Sequence, residues 1–343
     1  MQRLKKLLFA VMAVAVMFPC MGNAACKGKK KSDKVIVAYV TSWSKIMPDP
    51  QYMTHINYAF GSVSETFNGV TVDNERRLCD IAAIKHRHPN LKVILSIGGW
   101  GSGRFSEMAA DDALRKAFAR DCRRVVDQYR LDGIDIDWEY PTSNAAGISA
   151  SPDDTGNFTL LMRDIRKAIG KKKLLTLATV ASAQYIDLKA IMPYVDFVNI
   201  MSYDMGGAPK HHSALYESAN TGWMTAHGAV QAHIKAGVPA EKLVLGMPFY
   251  GRGGTDYPNF QDYSKICKDK NYMECWDDEA KVPYLADKDG KLVCGYDNPR
   301  SLAIKCRYVW EHGLLGAMYW DYAGDNDQND LRRAVFDGIM KVK

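Results

Sequence analysis

Residues 132–141 read Asp-Gly-Ile-Asp-Ile-Asp-Trp-Glu-Tyr-Pro. In an extended strand, alternate side chains face opposite ways. Asp135, Asp137 and Glu139 then share one face, and Ile134, Ile136 and Trp138 share the other. The apolar face suits packing against helices, which turns the three acids towards a closed interior. Burying acids is costly unless they are hydrogen-bonded, paired or protonated. Adjacent carboxylates resist ionising together, so at least one pKa should rise. A carboxyl still protonated near neutral pH is what a general acid requires. Asp132 precedes the inward row and is expected to stabilise the start of the strand. A calcium loop also alternates acids, but it needs turn-forming glycine and oxygen ligands through a loop. Here Ile, Ile and Trp intervene.

Outward from this stretch the chain repeats one rhythm, a short apolar run followed by a longer amphipathic stretch. The runs are Val35–Val40, His55–Phe60, Lys92–Ile97, Gly133–Trp138, Leu174–Thr179, Phe197–Met201, Leu243–Met247 and Gly316–Trp320. Asp111–Tyr129 carries apolar residues at helical spacing, and Asn157–Ile169 and Pro299–Trp310 read similarly. Eight strand–helix repeats predict an α/β fold, the (β/α)8 TIM barrel, whose active sites open at the C-terminal ends of the strands. Glu139 would lie at such an end. One interval, about 251–295, breaks the rhythm with Gly, Asp, Tyr and Cys and without a clear helix. It reads as a small insertion between strands 7 and 8. No linker or second domain is evident.

The chain has 343 residues, 47% of them hydrophobic and 24% charged, which excludes disorder, collagen and coiled coil as the main state. Net charge is +6, too mild an excess to argue for nucleic acid. Arg3, Lys5 and Lys6 precede an apolar run from Leu7 to Phe18, with Gly22, Ala24 and Ala25 after it. Residues 1–25 therefore read as an export signal. Cleavage after Ala24 would release a secreted or periplasmic protein, whereas cleavage before Cys26 would leave a lipid-anchored one. Asn23 makes the lipoprotein match partial. Residues 26–34 read as a basic tether, and 35–343 as the barrel. Beyond Cys26, Cys79, Cys122, Cys267, Cys275, Cys294 and Cys306 can pair completely. Sequence proximity suggests Cys267 with Cys275 and Cys294 with Cys306, with unpaired thiols as the alternative. No ligand spacing for a metal is found, and His211 and His212 read as part of the loop after the sixth strand.

The 132–141 stretch resembles the signature of family 18 glycoside hydrolases, the chitinases and their relatives. Four further segments resemble that family's motifs in order: Ser96-Ile97-Gly98-Gly99, Met201-Ser202-Tyr203-Asp204, Gly246–Arg252 and Gly316–Asp321. The resemblance implies a retaining, substrate-assisted hydrolase of β-1,4-linked N-acetylglucosamine, without a cofactor. Glu139 would protonate the glycosidic oxygen while the sugar's own acetamido oxygen attacks the anomeric carbon. Asp137 would orient the acetamido group, with Asp135 sharing a proton or hydrogen bond beneath it. Tyr203 would hold the acetamido oxygen, Asp204 would bind sugar or tune Glu139, and Trp320 would floor the site. Tyr39 and Ser96 would support the deep aspartate, while Met201 and Tyr250 would shape the wall. Gly98 and Gly99 would serve close backbone packing. The implied partner is chitin or another N-acetylglucosamine-containing glycan, and a monomer is expected. The short insertion predicts a shallow cleft. Two rival readings are an endo-β-N-acetylglucosaminidase acting on N-glycans and a non-catalytic glycan-binding lectin.

Overall fold

Eight parallel strands close on themselves: Val35–Thr41, His55–Val63, Lys92–Gly98, Gly133–Asp137, Leu174–Val180, Phe197–Met201, Leu243–Pro248 and Gly316–Trp320. Below they are numbered one to eight. The computed structural model describes residues 34–341. The expected export signal, Cys26 and the expected tether up to residue 33 lie outside the described residues. Each strand pairs with its neighbour in sequence, and the first also pairs with the eighth, Val35 opposite Gly316. All eight apolar runs read from the sequence are these strands. They are buried on both faces, as parallel strands between a filled interior and outer helices must be. Among the described residues no helix is long and apolar enough to cross a membrane.

The helices lie outside. Asp112–Gln128 starts where Asp111 accepts hydrogen bonds from the amides of Ala113 and Leu114, and it buries Phe118, Cys122, Val125 and Val126. The next helix runs Asp154–Ile169 and begins before the expected Asn157. The reason is Asp154 itself. Its buried carboxylate accepts from Ser106 Oγ at 2.7 Å and from the Ser151 amide at 2.8 Å, fixing the first turn against the short helix Phe105–Ala110 and the segment that leads into the turn. Pro299–Glu311 opens with a reciprocal cap between Asn298 and Ser301.

Residues 250–295 build a five-stranded antiparallel sheet with a one-turn helix, Tyr263–Ile266. The sheet order is Gln261–Asp262, Tyr250–Gly253, Leu292–Gly295, Val282–Ala286 and Met273–Asp277. The expected disulfides are absent: all six cysteines among the described residues are free thiols. The elements direct them apart. Cys275 lies on the outermost strand opposite Tyr284, while Cys267 caps the one-turn helix with Sγ 3.8 Å from Asn326 Nδ2. Cys294 fills the space above Gly251, and Cys306, on an outer helix, packs against Gly338. The barrel core carries the stability instead. A reducing agent should therefore leave the melting temperature unchanged, as differential scanning fluorimetry with and without reductant would show.

Candidate active site

The fourth strand has the alternation its sequence demands. Ile134, Ile136 and Trp138 face the helices, with Trp138 stacked on Phe105 at 5.3 Å between ring centroids. Asp135, on the opposite face, is fully buried. It accepts from Tyr39 Oη and Ser96 Oγ, both at 2.8 Å, from Thr176 Oγ1 at 2.5 Å and from Asn199 Nδ2 at 3.3 Å. These donors come from the first, third, fifth and sixth strands, so one carboxylate ties together much of the barrel lumen. Burial raises the Asp135 pKa, and the four hydrogen bonds oppose that rise.

Asp137, two residues on, is buried, and its Oδ1 has no hydrogen-bond partner among the described residues. Its pKa is pushed well above the ordinary carboxylate range, first by burial, then by the charges of Glu139 and Asp135. Asp135 acts on Asp137 through its charge and not through a hydrogen bond, because Asp135 takes its hydrogen bonds from the four neutral donors. Glu139 is half-buried at the strand's C-terminal end, where burial pushes it up to about 7. A hydrogen bond with Tyr140 opposes that rise and the Asp204 charge adds to it. The backbone here is tightly fitted. Gly98 has φ 128°, and a side-chain carbon on it would lie 2.0 Å from Asp137 O; the Gly99 amide donates to that oxygen at 2.8 Å. Asp132 sits at the strand start and accepts from the Val93 amide and Lys85 Nζ.

Above Asp137 and Glu139 opens a cleft of about 680 Å³. Trp320, at the end of the eighth strand, stacks on Phe60 at 5.6 Å and meets Tyr39 at 5.7 Å. Met201, Tyr203 and Tyr250 line the wall, with Tyr203 Oη 3.7 Å from Met318 Sδ. Asp204 stands at the rim, 43% exposed. Its carboxylate accepts from Arg252 Nε and Nη2, each at 2.6 Å, and from Tyr250 Oη at 2.7 Å. Burial penalises the Asp204 charge, but the Arg252 hydrogen bonds, the nearby His212 and the Arg252 charge together more than reverse that and hold it well below the usual carboxylate range. All ten residues singled out in the sequence converge here: eight line the cleft or its base, and Asp135 and Ser96 lie beneath it. No group of three or more metal-ligating side chains is found among the described residues.

The sequence profile described as Glycosyl hydrolases family 18 matches residues 35–325. This chain belongs to glycoside hydrolase family 18. Chitinase A1 of Niallia circulans is 34% identical, over 87% of this chain and 58% of that protein, so the chain spans just over half of that relative. A solved family 18 N-acetylglucosaminidase from Paenibacillus barengoltzii superposes with TM-score 0.81 at 34% identity, covering 89% of this chain and 99% of that one. A Group IV chitinase of Ostrinia furnacalis, solved in complex with allosamidin, superposes with TM-score 0.79 at 27% identity, covering 89% and 96%.

Sequence reasoning gave no site role to Trp43, Phe60, Trp100, Tyr140, Trp223, Arg252 or Phe260, all of which line this family 18 cleft. Exposure is the signal it lacked. Trp43 and Trp100 are each 64% exposed and Trp223 56%, unusual for so large an apolar ring. Arg252 closes the quoted seventh-strand motif, and only the fold shows that its guanidinium reaches Asp204.

The raised Glu139 pKa has a consequence for stability. Protonation favours the folded state, so this contribution is complete below pH 4.5 and is lost as pH rises through about 7. Glu139→Gln should therefore be more stable than the parent at pH 8, by up to about 3 kcal/mol, and should lose that advantage at pH 4. Chemical unfolding at the two pH values measures it.

Proposed function

We propose that this chain is a retaining hydrolase of β-1,4-linked N-acetylglucosamine, acting on chitin or its oligosaccharides by substrate assistance. The observation that carries the reading is the Asp137–Glu139 pair at the base of an aromatic-lined cleft. One carboxyl has an unpartnered buried oxygen, and the other is raised to about 7. The relatives and neighbours named as chitinases support the same substrate.

In this reading Glu139 gives its proton to the glycosidic oxygen as the bond to the anomeric carbon breaks. The substrate's acetamido oxygen forms the new bond to that carbon, giving an oxazolinium ion. The nucleophile is already tethered, which removes most of the entropic cost of bringing it to the carbon. Asp137 Oδ1 takes the acetamido N–H and stabilises the positive charge growing there. Asp135, fixed by Tyr39 and Ser96, keeps negative charge beneath it. Tyr203 Oη, in weak contact with the Met318 thioether, is available to the acetamido oxygen. Trp320 supplies a flat apolar floor for the sugar's C–H face. Water then attacks the anomeric carbon from the opposite side and gives its proton to Glu139. Two inversions leave the configuration retained. Double displacement would instead need a second carboxylate free to attack. Asp204 is a poor candidate, because both its oxygens are bound by Arg252, and in this reading Asp137 Oδ1 is engaged by the acetamido N–H.

The lectin reading is not favoured, because Glu139, Asp137 and Tyr203 face one cleft. No feature of the cleft favours N-glycans. Export, on the charge pattern of residues 1–25, completes the proposal.

Glu139→Gln should reduce turnover of chitin oligomers by at least about a thousandfold while binding survives; wild-type turnover would remove Glu139 from its role. With wild-type protein, kcat/KM should fall as pH rises through about 7, because the general acid loses its proton. A thiazoline mimic of the cyclic intermediate should inhibit competitively. Hydrolysis that is indifferent to it would refute substrate assistance.

A further inference from the structure

We propose that His212 is a positioning residue for this reaction, fixing Asp204 at the rim of the cleft. The inference rests on the hydrolase reading above. The segment after the sixth strand runs between the barrel rim and the inserted sheet, and three consecutive residues in it reach three different partners. His211 Nε2 lies 3.0 Å from Asp277 Oδ2 of the insertion. Ser213 Oγ donates to Asp297 Oδ2 at 2.7 Å, and the buried Lys305 Nζ binds that same oxygen and Ser213 O, each at 2.7 Å. Between these two anchors, His212 turns back to the site.

Asp204 has φ 56°, a left-handed backbone that a residue with a side chain adopts only at a cost. His212 and Trp223 hold it there. The Asp204 amide donates to His212 Nδ1 at 3.3 Å, and the Met205 amide donates to His212 O at 2.9 Å. On the other side Trp223 Nε1 donates to Asp204 O at 3.3 Å, and the Trp223 amide to Met205 O at 2.8 Å. Two successive residues, Asp204 and Met205, are gripped through both amides by one residue and through both carbonyls by another. Nδ1 also lies 3.5 Å from Asp204 Oδ1. The amide contact is the shorter, and that carboxylate already has three donors, so Nδ1 is assigned as the acceptor.

His212 is fully buried, and its Nε2 has no partner among the described residues. An unmatched buried polar atom is a cost that an apolar side chain of similar size would avoid. The imidazole is thus accounted for by what Nδ1 does. Beside it stand Asp204, with Arg252 bound to it on the rim, and the Tyr250 ring at 5.2 Å; its chain neighbours His211 and Ser213 hold Asp277 and the Asp297–Lys305 pair. Asp204 is the charge that Glu139 senses from across the cleft. Its placement therefore bears on when Glu139 holds its proton.

The test compares His212→Leu with His212→Asn, whose side-chain oxygen can take the place of Nδ1. The measurements are kcat, KM and the pH profile on chitin oligomers, together with thermal unfolding. His212→Leu should lose about tenfold in kcat, and its alkaline limb should move to lower pH as the Asp204 charge is dispersed. His212→Asn should keep kcat within about threefold of the parent and restore the limb. Wild-type kinetics for His212→Leu overturn the proposal. So do equal activity losses in both variants that follow a common loss of melting temperature. Glu139→Gln, run alongside, separates this from the hydrolase reading: if it is inactive while His212→Leu is unaffected, only His212 is removed.

Discussion

The structure depends on how the barrel accommodates three carboxyl groups along one strand and the two residues that continue it. Placing Asp135, Asp137 and Glu139 inside would be prohibitive if all three were bare and charged. The lumen solves this unequally. Asp135 receives four neutral donors from four other strands. Asp137 receives no partner for one oxygen and is pushed towards the protonated form. Glu139 reaches the mouth, where it is poised near neutrality. The gradient from a fully bonded acid to a poised one follows the strand outward. It requires the alternation of Ile134, Ile136 and Trp138 on the other face, because a one-residue slip would put isoleucine in the lumen and acids among the helices.

The rim is a second electrostatic layer built on different elements. Asp204 from the sixth strand's loop meets Tyr250 and Arg252 from the base of the insertion. The insertion therefore does more than wall the cleft, since it brings the cation that keeps Asp204 ionised. That charge adds to the rise of Glu139, while Arg252 keeps Asp204 itself from competing for the proton. Two carboxyls near one cleft are pushed in opposite directions by their surroundings, which gives them different roles at a single pH.

The strands and the acid ladder were legible because both are periodic. Eight apolar runs of parallel-sheet character, and a strict alternation at 133–139, leave few ways to fold. What the sequence hid was contact between distant segments. Nothing near Asp154 announces that it caps a loop and draws its helix forward, and nothing near Arg252 announces Asp204. The cysteines show the converse error. Cys267 with Cys275, and Cys294 with Cys306, are close along the chain, yet strand and helix geometry points each pair apart. Sequence separation bounds how far two residues can be from one another but does not orient their side chains.

Aromatic surface and acid strength are one design in this cleft. The rings of Trp43, Phe60, Trp100, Tyr140, Trp223 and Trp320 would be expensive to leave in water were they not a binding surface. Some of that surface also shields Glu139, and shielding is the first cause of its raised pKa. A sugar laid on these rings would shield the carboxyl further. Binding would then strengthen its hold on the proton just before it must be delivered. A polar cleft could bind sugar by hydrogen bonds alone, but it would solvate the carboxylate and leave the acid ionised at neutral pH. In the proposed reaction the apolar lining would therefore serve catalysis as well as affinity, with Asp137 and Asp135 supplying the polarity beneath the reacting centre.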